Sequence, residues 1–551
     1  MSRKFIAAVC TLAMASCAPD ETRDVQSLSD NPPARDSAAF SYQAEGWMAG
    51  ALPEIAAALQ SGELSAEEVT AAYIERINAV DWAGPELQSV LALNPNALDD
   101  ARALDARREA GETLGPLHGV PILLKDNIES RDPMATTAGA LALRQNITER
   151  DSPLVEGLRS AGAVILGKTN LSQWANFRSN DSMSGWSALG GQVKNPHMLD
   201  RNPCGSSSGS GAAVAASLAA GAVGTETNGS IICPSNVNGV VGFKPTVGLV
   251  SQQYIVPISS SQDTAGPMTK TVTGAAMMLN AMAQQSGTGE EATDYAAALD
   301  ANALEGARIG VLRFAEGSNA DIITHFNAAI DEMKSAGAEI VEIEEFDPAA
   351  EDFWGKSRSV LDYEFKATIN EYLGDAAPAV TTRNLDDLIA FNEENADIEL
   401  ALFDQSIFIG ANEKAGLDDP EYLSARDEVQ AAAGRDGIDA LLGDNNVDFL
   451  ISPSGPVAPR VDPVNGDVWP SWAGAGYLAA IAGYPHITVP MGTVHGVPVG
   501  ISMMGAKDQD AAVLSYGYAY EQRTMHRADP QYLSSAEARD EIGPAMKRRA
   551  D

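Results

Sequence analysis

Residues 203–211 read PCGSSSGSG, and residues 224–230 read GTETNGS. The two stretches lie on either side of a segment of small residues, 212–222, with the composition of a tightly packed helix. Further upstream, residues 119–125 read GVPILLK and end an apolar run on a lysine. Backbone that is rich in glycine and serine can approach a ligand closely and adopt conformations that a Cβ would forbid. We therefore expect the two Gly/Ser stretches to be ligand-binding loops.

Two serines and one lysine of these stretches are candidate catalytic residues: Ser206, Ser230 and Lys125. A serine nucleophile needs a base that takes its proton and backbone N–H groups that stabilise the oxyanion. A Ser–Lys pair provides the base without a histidine. Taken singly, each residue has a simpler interpretation, because Gly/Ser loops are most often turns and a strand-end lysine usually faces solvent. Taken together, they indicate an amide or ester hydrolase.

Composition limits the possible partners. The chain has 551 residues, of which 45% are hydrophobic and 20% charged, so a large core is available. With 37 basic and 75 acidic residues, its net charge is −38. This charge would repel phosphate backbones and does not suit a polybasic lipid-binding surface. We therefore expect no nucleic-acid partner.

The N-terminus resembles an export signal. Residues 1–17 combine a basic start, an apolar run too short to span a bilayer, and small residues before Cys17. This pattern predicts a protein of the periplasm or cell envelope, either lipid-anchored through Cys17 or released by ordinary signal cleavage. Residues 18–45 have the composition of a flexible tether. We expect one catalytic domain over 46–535, followed by a polar tail over 536–551.

The cysteine and histidine patterns are less informative about the site. Cys204 and Cys233 lie in or beside the two serine loops. An oxidising compartment would permit a disulfide between them, but two buried free thiols fit the sequence equally well. The six histidines are scattered without metal-ligand spacing, so the sequence predicts no metal site.

Helix and strand patterns alternate along the chain, which predicts an α/β fold with a large mixed sheet covered by helices on both faces. Ser65 begins a helix with the spacing of a capping box. Residues 353–440 form a polar, helix-rich region, which we expect to line the substrate pocket together with 469–477. The strand candidates are 120–124, 163–166, 309–312, 338–343, 449–451 and a hairpin of 487–489 with 497–503 across 492–496.

One motif is misleading. Residues 162–169 read GAVILGKT and fit the phosphate-loop pattern. The four middle positions of a phosphate loop form a backbone cradle, whereas here they are apolar and typical of a strand. We expect no nucleotide site.

Taken together, these stretches resemble the amidase signature family over about residues 50 to 530. Each matching segment is weak alone, but five in the family's order are specific. The closest subgroup resembles the bacterial peptide amidases. The matching segments are 119–127, 205–207 with the helix that follows, 229–245, 262–267 and 482–490.

The resemblance implies the amidase signature fold and a Ser-cisSer-Lys triad, with no cofactor. Ser230 would attack the carbonyl and form an acyl-enzyme. Ser206, after a cis peptide bond, would relay protons between Ser230 and Lys125, and Ser207 would support this arrangement. Lys125 must be neutral to act as a base, and burial would lower its pKa. The implied oxyanion donors are the backbone N–H groups of Thr227, Asn228, Gly229 and Ser230.

The sequence departs from the common family pattern at three places. Cys204 and Ser208 replace glycines, a feature shared with the peptide-amidase type, and Glu226 stands where Asp is usual. Several branches place an arginine shortly after the nucleophile, but residues 231–233 read IIC. Without this cation, a substrate carboxylate near the scissile bond lacks a partner. We therefore expect neutral amides as substrates.

The leading hypothesis is an exported amidase that releases ammonia from C-terminal peptide amides or other neutral amides. An aryl- or fatty-acylamide hydrolase is the alternative enzyme. A catalytically silent surface binding protein on the same scaffold is the alternative outside the enzymes. The joint presence of Lys125, Ser206 and Ser230 argues against it, since binding requires none of them. The family's transamidation subunit works with cytoplasmic partners and tRNA. The export signal and the negative net charge of this chain both disfavour that function. The sequence does not indicate whether the protein is a monomer or an oligomer.

Overall fold

The computed structural model describes residues 42–283 and 293–547. The expected signal segment 1–17, the lipidation site Cys17 and nearly all of the tether 18–45 lie outside the described residues. None of the helices in the described ranges has the length and apolar character that a membrane crossing requires.

The strands of the described residues are β1 (Val90–Leu93), β2 (Pro121–Lys125), β3 (Val164–Thr169), β4 (Trp186–Ser187), β5 (Gly191–Gln192), β6 (Gly221–Glu226), β7 (Val241–Lys244), β8 (Thr264–Thr269), β9 (Arg308–Leu312), β10 (Glu339–Ile343), β11 (Phe449–Pro453), β12 (His486–Val494) and β13 (Val497–Met504).

The α-helices of the same ranges are α1 (Leu52–Ser61), α2 (Ala66–Arg76), α3 (Ala97–Glu109), α4 (Pro153–Ser160), α5 (Ser208–Ala215), α6 (Ile232–Asn238), α7 (Val272–Ala283), α8 (Ala320–Ser335), α9 (Phe353–Gly374), α10 (Leu385–Glu394), α11 (Ala396–Glu399), α12 (Ser406–Asn412), α13 (Pro420–Ala433), α14 (Ala440–Asn445), α15 (Gly476–Ala482) and α16 (Asp510–Thr524).

Eleven of the described strands form one mixed sheet in the order β1-β3-β2-β6-β8-β7-β12-β13-β11-β9-β10. The pairs β3/β2, β2/β6, β11/β9 and β9/β10 are parallel. The other pairs are antiparallel. The remaining two strands, β4 and β5, form a separate hairpin. The predicted large mixed sheet is confirmed.

Helices cover both faces of the sheet, as β6 shows. A Cβ at Gly221 would contact Met278 of α7 and Leu52 of α1. A Cβ at Gly224 would instead meet Ser207, which caps the start of α5. Side chains alternate along a strand, so positions three apart point to opposite faces. The α/β fold with helices on both faces is therefore confirmed.

The sequence locates most elements to within a few residues. Ser65 caps α2 as predicted, because its Oγ accepts the Glu68 N–H at 3.1 Å while the Glu68 carboxylate accepts the Ser65 N–H at 3.1 Å. Residues 164–169 of the phosphate-loop look-alike form the fully buried strand β3.

The C-terminal hairpin differs in its turn. The expected loop over 492–496 is shorter, because β12 continues to Val494 past an irregularity after Pro490. Only His495 and Gly496 remain as the loop, with φ values of 49° and 83°. Two residues with positive φ form the tight turn that suits an antiparallel hairpin.

Candidate active site

The sheet places the lysine stretch next to the second serine stretch. β2 ends at Lys125 and β6 ends at Glu226, and the two strands are parallel neighbours with Leu124 opposite Val223. Their carboxyl ends therefore meet at one edge of the sheet, where ligands bind in open α/β folds. The loop 203–207 precedes α5, and Ser207, the N-cap residue of α5, contacts the end of β6.

Lys125 is completely buried. Its Nζ lies 2.7 Å from Ser206 Oγ, 2.8 Å from Thr225 Oγ1 and 3.2 Å from the Thr225 carbonyl oxygen. The ammonium group forms no ion pair with any described residue. A lysine held in this way by neutral partners loses the hydration that stabilises its charge.

Burial lowers the pKa of Lys125 to about 7. The negative charges of Asp263 and Glu226 act in the opposite direction and raise this pKa, but by less than desolvation lowers it. A substantial fraction of the side chain is therefore a neutral amine near pH 7, which is the state that can accept a proton.

Ser206 follows a cis peptide bond from Gly205. The serine is buried, and its carbonyl oxygen accepts the Ser172 N–H at 3.1 Å. A Cβ at position 205 would lie 2.1 Å from Ser172 Oγ, so a larger residue there would force Ser172 or the loop to move. Glycine thus lets the loop pack closely against Ser172, which fixes the position of Ser206.

Ser230 lies in a turn between β6 and α6. Glu226 closes this turn, because its Oε2 accepts the N–H groups of Ile231 at 2.7 Å and Ile232 at 3.0 Å. Gly229 has a φ of 81°. Ser230 is 9% exposed, and its hydroxyl forms no hydrogen bond within the described ranges. The Ser230 carbonyl accepts the Ser207 N–H at 3.2 Å, which connects the two serine loops.

The structure brings Lys125 and Ser206 into direct contact and joins the Ser230 loop to them through Ser207. Ser207 Oγ donates to the Thr225 carbonyl and accepts the Thr225 N–H, both at 3.1 Å. Ser207 therefore supports the end of β6 and does not touch the Ser206 hydroxyl.

The backbone between β6 and Ser230 has unused donors. Across the described part of the chain, no acceptor is hydrogen-bonded to the N–H groups of the stretch from Thr227 to Ser230. Asn228 is exposed, and Gly229 is partly exposed. Free N–H groups beside a serine can receive a substrate oxygen. The four N–H groups concerned belong to Thr227, Asn228, Gly229 and Ser230.

Three further residues shape the site beside those predicted to be catalytic. Thr225 is the second partner of Lys125, and Asn127 Nδ2 donates to the Thr225 hydroxyl at 3.0 Å. Asp263 accepts the Thr227 hydroxyl at 2.6 Å and two backbone N–H groups, so it fixes the loop before Ser230. Asn127 and Asp263 lie in the segments that resemble the family, but residue type alone does not show their contacts.

Cys204 and Cys233 form a disulfide, with their Cα atoms 5.8 Å apart. The sequence left this pairing open against two free thiols. The bond joins the residue two positions before Ser206 to the residue three positions after Ser230. It therefore ties the two serine loops together by a covalent link.

Two cavities open beside the serine loops. The aromatic cleft, of about 600 Å³, is lined by Gly205, Asn228 and Gly229 and by residues of α9 and of the 454–486 region. A second cavity, of about 480 Å³, is lined by Asn127, Thr225, Thr227 and residues near the C-terminal end of α9. Both regions expected to form the pocket wall, 353–440 and 469–477, thus contribute side chains. The aromatic side chains of the aromatic cleft are Phe314, Trp354, Trp469, Trp472 and Tyr477.

Within the described ranges, no group of three or more His, Cys, Asp or Glu side chains is arranged to hold a metal ion. The histidine beside the aromatic cleft, His486, donates or accepts at Ser502 Oγ, 2.6 Å away. It is therefore part of a hydroxyl network on β12 and β13.

Comparison with known proteins assigns the class. The amidase family model matches residues 68–514. A relative from Arabidopsis thaliana that carries the name of an amidase is 34% identical over 501 residues, which cover 88% of this chain and 91% of the relative. The glutamyl-tRNA(Gln) amidotransferase of Halorhodospira halophila has a subunit that is 34% identical over 502 residues, 87% of this chain and 98% of the relative. This chain belongs to the amidase signature family and is a hydrolase of amide C–N bonds.

Solved structures agree with this assignment. The native peptide amidase of Stenotrophomonas maltophilia superposes with a TM-score of 0.83 at 45% identity, covering 88% of this chain and 99% of the other. A peptide amidase in complex with the competitive inhibitor chymostatin gives a TM-score of 0.84 at 46% identity over the same shares. A bacterial aryl acylamidase, at 22% identity, gives a TM-score of 0.70 over 86% of this chain and 96% of the other, and shows the common fold alone.

We predict that the double variant Cys204→Ser/Cys233→Ser is less stable and less active. The two cysteines are 29 residues apart in sequence. Loss of a disulfide that closes a loop of this length lowers the free energy of unfolding by about 3 to 4 kcal/mol. Urea unfolding and the kcat for an amide substrate measure the two effects. Dithiothreitol should bring the wild type to the same state and leave the double variant unchanged. An unaltered unfolding midpoint in both would contradict a stabilising role of the disulfide.

Proposed function

We propose that this amidase releases ammonia from C-terminal peptide amides through an acyl-enzyme on Ser230, with Ser206 and Lys125 as the proton relay. The observation that carries the proposal is the contact of 2.7 Å between a completely buried lysine and Ser206, which follows a cis peptide bond. A buried amine without a counterion is suited to accept a proton, and no ion pair within the described ranges accounts for its position.

The hydrogen bonds of Lys125 orient the amine. A neutral amine has two N–H groups and one lone pair. The carbonyl and hydroxyl oxygens of Thr225 are acceptors for the two N–H groups, at 3.2 and 2.8 Å. The lone pair is then free to accept the Ser206 hydroxyl proton. Ser206 Oγ can in turn accept the proton of the Ser230 hydroxyl. Ser230 is thus deprotonated by two successive proton transfers.

In the proposed acylation, Ser230 Oγ attacks the amide carbonyl as its proton passes through Ser206 to Lys125. The free N–H groups of 227–230 stabilise the oxyanion, and one such donor is worth about 100- to 1000-fold in rate. The proton then returns through Ser206 to the leaving nitrogen, which departs as ammonia. Water attacks the acyl-enzyme by the same route and releases the carboxylic acid and Ser230.

The proposed substrate class is supported by the aromatic cleft. It is large enough for the acyl part of a peptide amide, and none of the described residues that line it is a lysine or an arginine. A substrate carboxylate would therefore have no cationic partner among them, as the absence of an arginine in 231–233 suggested. The likeness to a peptide amidase of Stenotrophomonas maltophilia over 88% of this chain adds to this support.

A second candidate is an aryl- or fatty-acylamide hydrolase. Its support is the set of aromatic side chains in the same cleft, which would also receive a flat or apolar acyl group. The mechanism would be unchanged, since the nucleophile and the relay are the same.

Ammonia release from the full chain tests both proposals. C-terminal peptide amides should be hydrolysed, and Ser230→Ala should lose about 10,000-fold or more in kcat while the fold is kept. Lys125→Met should lose about 100- to 10,000-fold, because the base is removed from a site of nearly the same shape. Lys244→Met is the matched control, since Lys244 is also completely buried but, within the described ranges, donates only to the Pro245 carbonyl.

Each other outcome has a distinct meaning. Turnover of aryl or fatty acylamides alone would keep the mechanism and replace the substrate class. Near-normal kcat in Lys125→Met would refute the relay. If no amide is hydrolysed and a fluorophosphonate adds no mass to Ser230, the scaffold is a silent binding protein.

The pH dependence follows from the pKa of Lys125. This pKa is lowered to about 7, and the reactive form of the amine is the neutral one. We therefore expect kcat/KM to rise with pH through a midpoint near 7 and to level off above it. Asp263→Asn removes a charge that raises this pKa, so the midpoint should move to lower pH. A base with a pKa of about 7 must titrate between pH 5 and 9. A profile that is flat over this range would therefore contradict the assignment of Lys125 as the base.

We also propose that the protein is exported and lipid-anchored through Cys17. The support is the signal-like pattern of 1–17 together with the disulfide Cys204–Cys233, because disulfides persist in oxidising compartments. Cys17→Ser should move the protein from the membrane fraction to the soluble periplasmic fraction. Cys10→Ser, within the apolar run, is the control and should remain with the membrane. A wild type that is already soluble would indicate ordinary signal cleavage.

A further inference from the structure

The aromatic cleft has a one-sided charge pattern. Among the described residues that line it, the carboxylates of Glu226 and Asp467 are present, while lysine and arginine are absent. His486 also lines the cleft, but burial lowers its pKa to about 3, so its ring is neutral at physiological pH. The formal charges among the described residues that line the cleft are therefore all negative, and a cleft with low-dielectric walls concentrates the field of such charges.

Neither carboxylate forms an ion pair with a described residue. Asp467 accepts the Asn202 side-chain amide at 2.8 Å and the Ser184 N–H at 3.0 Å, both of which are uncharged donors. Glu226 is 1% exposed, and its Oε1 has no hydrogen-bond partner in the described part of the chain. A buried carboxylate oxygen without a partner is costly unless a ligand supplies one.

Aromatic side chains line the same cleft as these carboxylates. Trp354 is 59% exposed and its ring centroid lies 4.8 Å from that of Tyr477. Trp472 is 50% exposed, with a centroid separation of 5.8 Å from Trp469. The Trp469 indole N–H also points to Asp467, at 3.4 Å. Exposed aromatic rings and carboxylates that form no ion pair, in one cleft, are the elements of a cation-binding site.

The position of the cleft connects this chemistry to the reaction. Gly205, Asn228 and Gly229 line the same cleft, and they are the neighbours of Ser206 and Ser230. A substrate with its amide carbonyl at the free N–H groups of 227–230 would extend its acyl part into the cleft. A neutral acyl group would contact the aromatic side chains alone and would leave both carboxylates without a cationic partner.

We propose that the aromatic cleft binds a cationic group of the substrate's acyl part, so that the enzyme prefers peptide amides with a guanidinium or ammonium side chain next to the scissile amide. This inference rests on the proposed function and specifies its substrate class. Cation–π contact alone corresponds to about 3- to 30-fold in affinity. The two carboxylates should increase the preference further.

Isosteric substrates test the inference in the full chain. Arginine and citrulline side chains have nearly the same shape and differ in charge. We expect kcat/KM for a C-terminal arginine amide to exceed that for the citrulline amide about 10-fold or more at low ionic strength, and the ratio to fall as salt screens the charges. A glutamate amide should be the poorest of the three.

Variants of the cleft should reduce this ratio. Asp467→Asn and Trp354→Leu should each lower the arginine/citrulline ratio about 3-fold or more, mainly through the arginine substrate. The matched controls are Asp397→Asn, an exposed carboxylate on α11, and Trp82→Leu, a 45% exposed tryptophan outside the cleft. These controls correct for the general attraction of cations to a chain of net charge −38.

Binding to Ser230→Ala separates the inference from the proposed function. Calorimetry with the same two amides should give a Kd ratio of about 10 in favour of arginine. Equal Kd values, or equal kcat/KM values with ammonia released from both, would overturn the cation site and leave the amidase proposal standing. A Kd ratio that is kept while no amide is hydrolysed would support the cation site and refute the proposed activity.

Discussion

The reaction centre depends on one interaction, the hydrogen bond between the buried Lys125 and Ser206. Desolvation destabilises the charged lysine, and its Nζ is hydrogen-bonded to uncharged atoms of Ser206 and Thr225. The fold must therefore keep water and counterions away from the edge of the sheet where β2 and β6 end. The close packing of Gly205 on Ser172 and the disulfide between the serine loops serve the same requirement, because they hold Ser206 where the lysine can reach it.

Two acidic side chains near the site oppose the effect of burial on the pKa of Lys125. Asp263 and Glu226 raise the pKa of Lys125 against the effect of burial, and both also hold the loop around Ser230, Asp263 through the Thr227 hydroxyl and Glu226 through the Ile231 N–H. Each carboxylate thus shapes the loop of the proposed nucleophile and affects the pKa of the proposed base. Glu226 also lines the aromatic cleft, so the same side chain contributes to the loop geometry, to the pKa of Lys125 and to the charge of the cleft.

The sequence was sufficient for the sheet, the serine loops and the lysine, because each is marked by local composition: an apolar strand, glycine spacing or a helix cap. It could not reveal contacts that depend on register. Thr225 becomes a partner of Lys125 only when β2 and β6 pair as parallel neighbours, and the bond of Cys204 with Cys233 needs the turn closed by Glu226. The hairpin loop was also misplaced, since an irregularity after Pro490 extends β12. Long-range packing determined each of these features.

The disulfide closes residues 204–233 into a covalent ring that contains both serines and the free N–H groups. The proposed base, Lys125, lies outside this ring on β2, and walls of the aromatic cleft come from α9 and the 454–486 region, distant in sequence from both. The proposed nucleophile, the proposed base and much of the cleft wall are thus encoded in three separate parts of the chain. Mutations in the wall can accumulate without altering the ring or the lysine. The architecture therefore favours evolvability, because lineages can acquire new substrate ranges while they inherit an unchanged chemical centre.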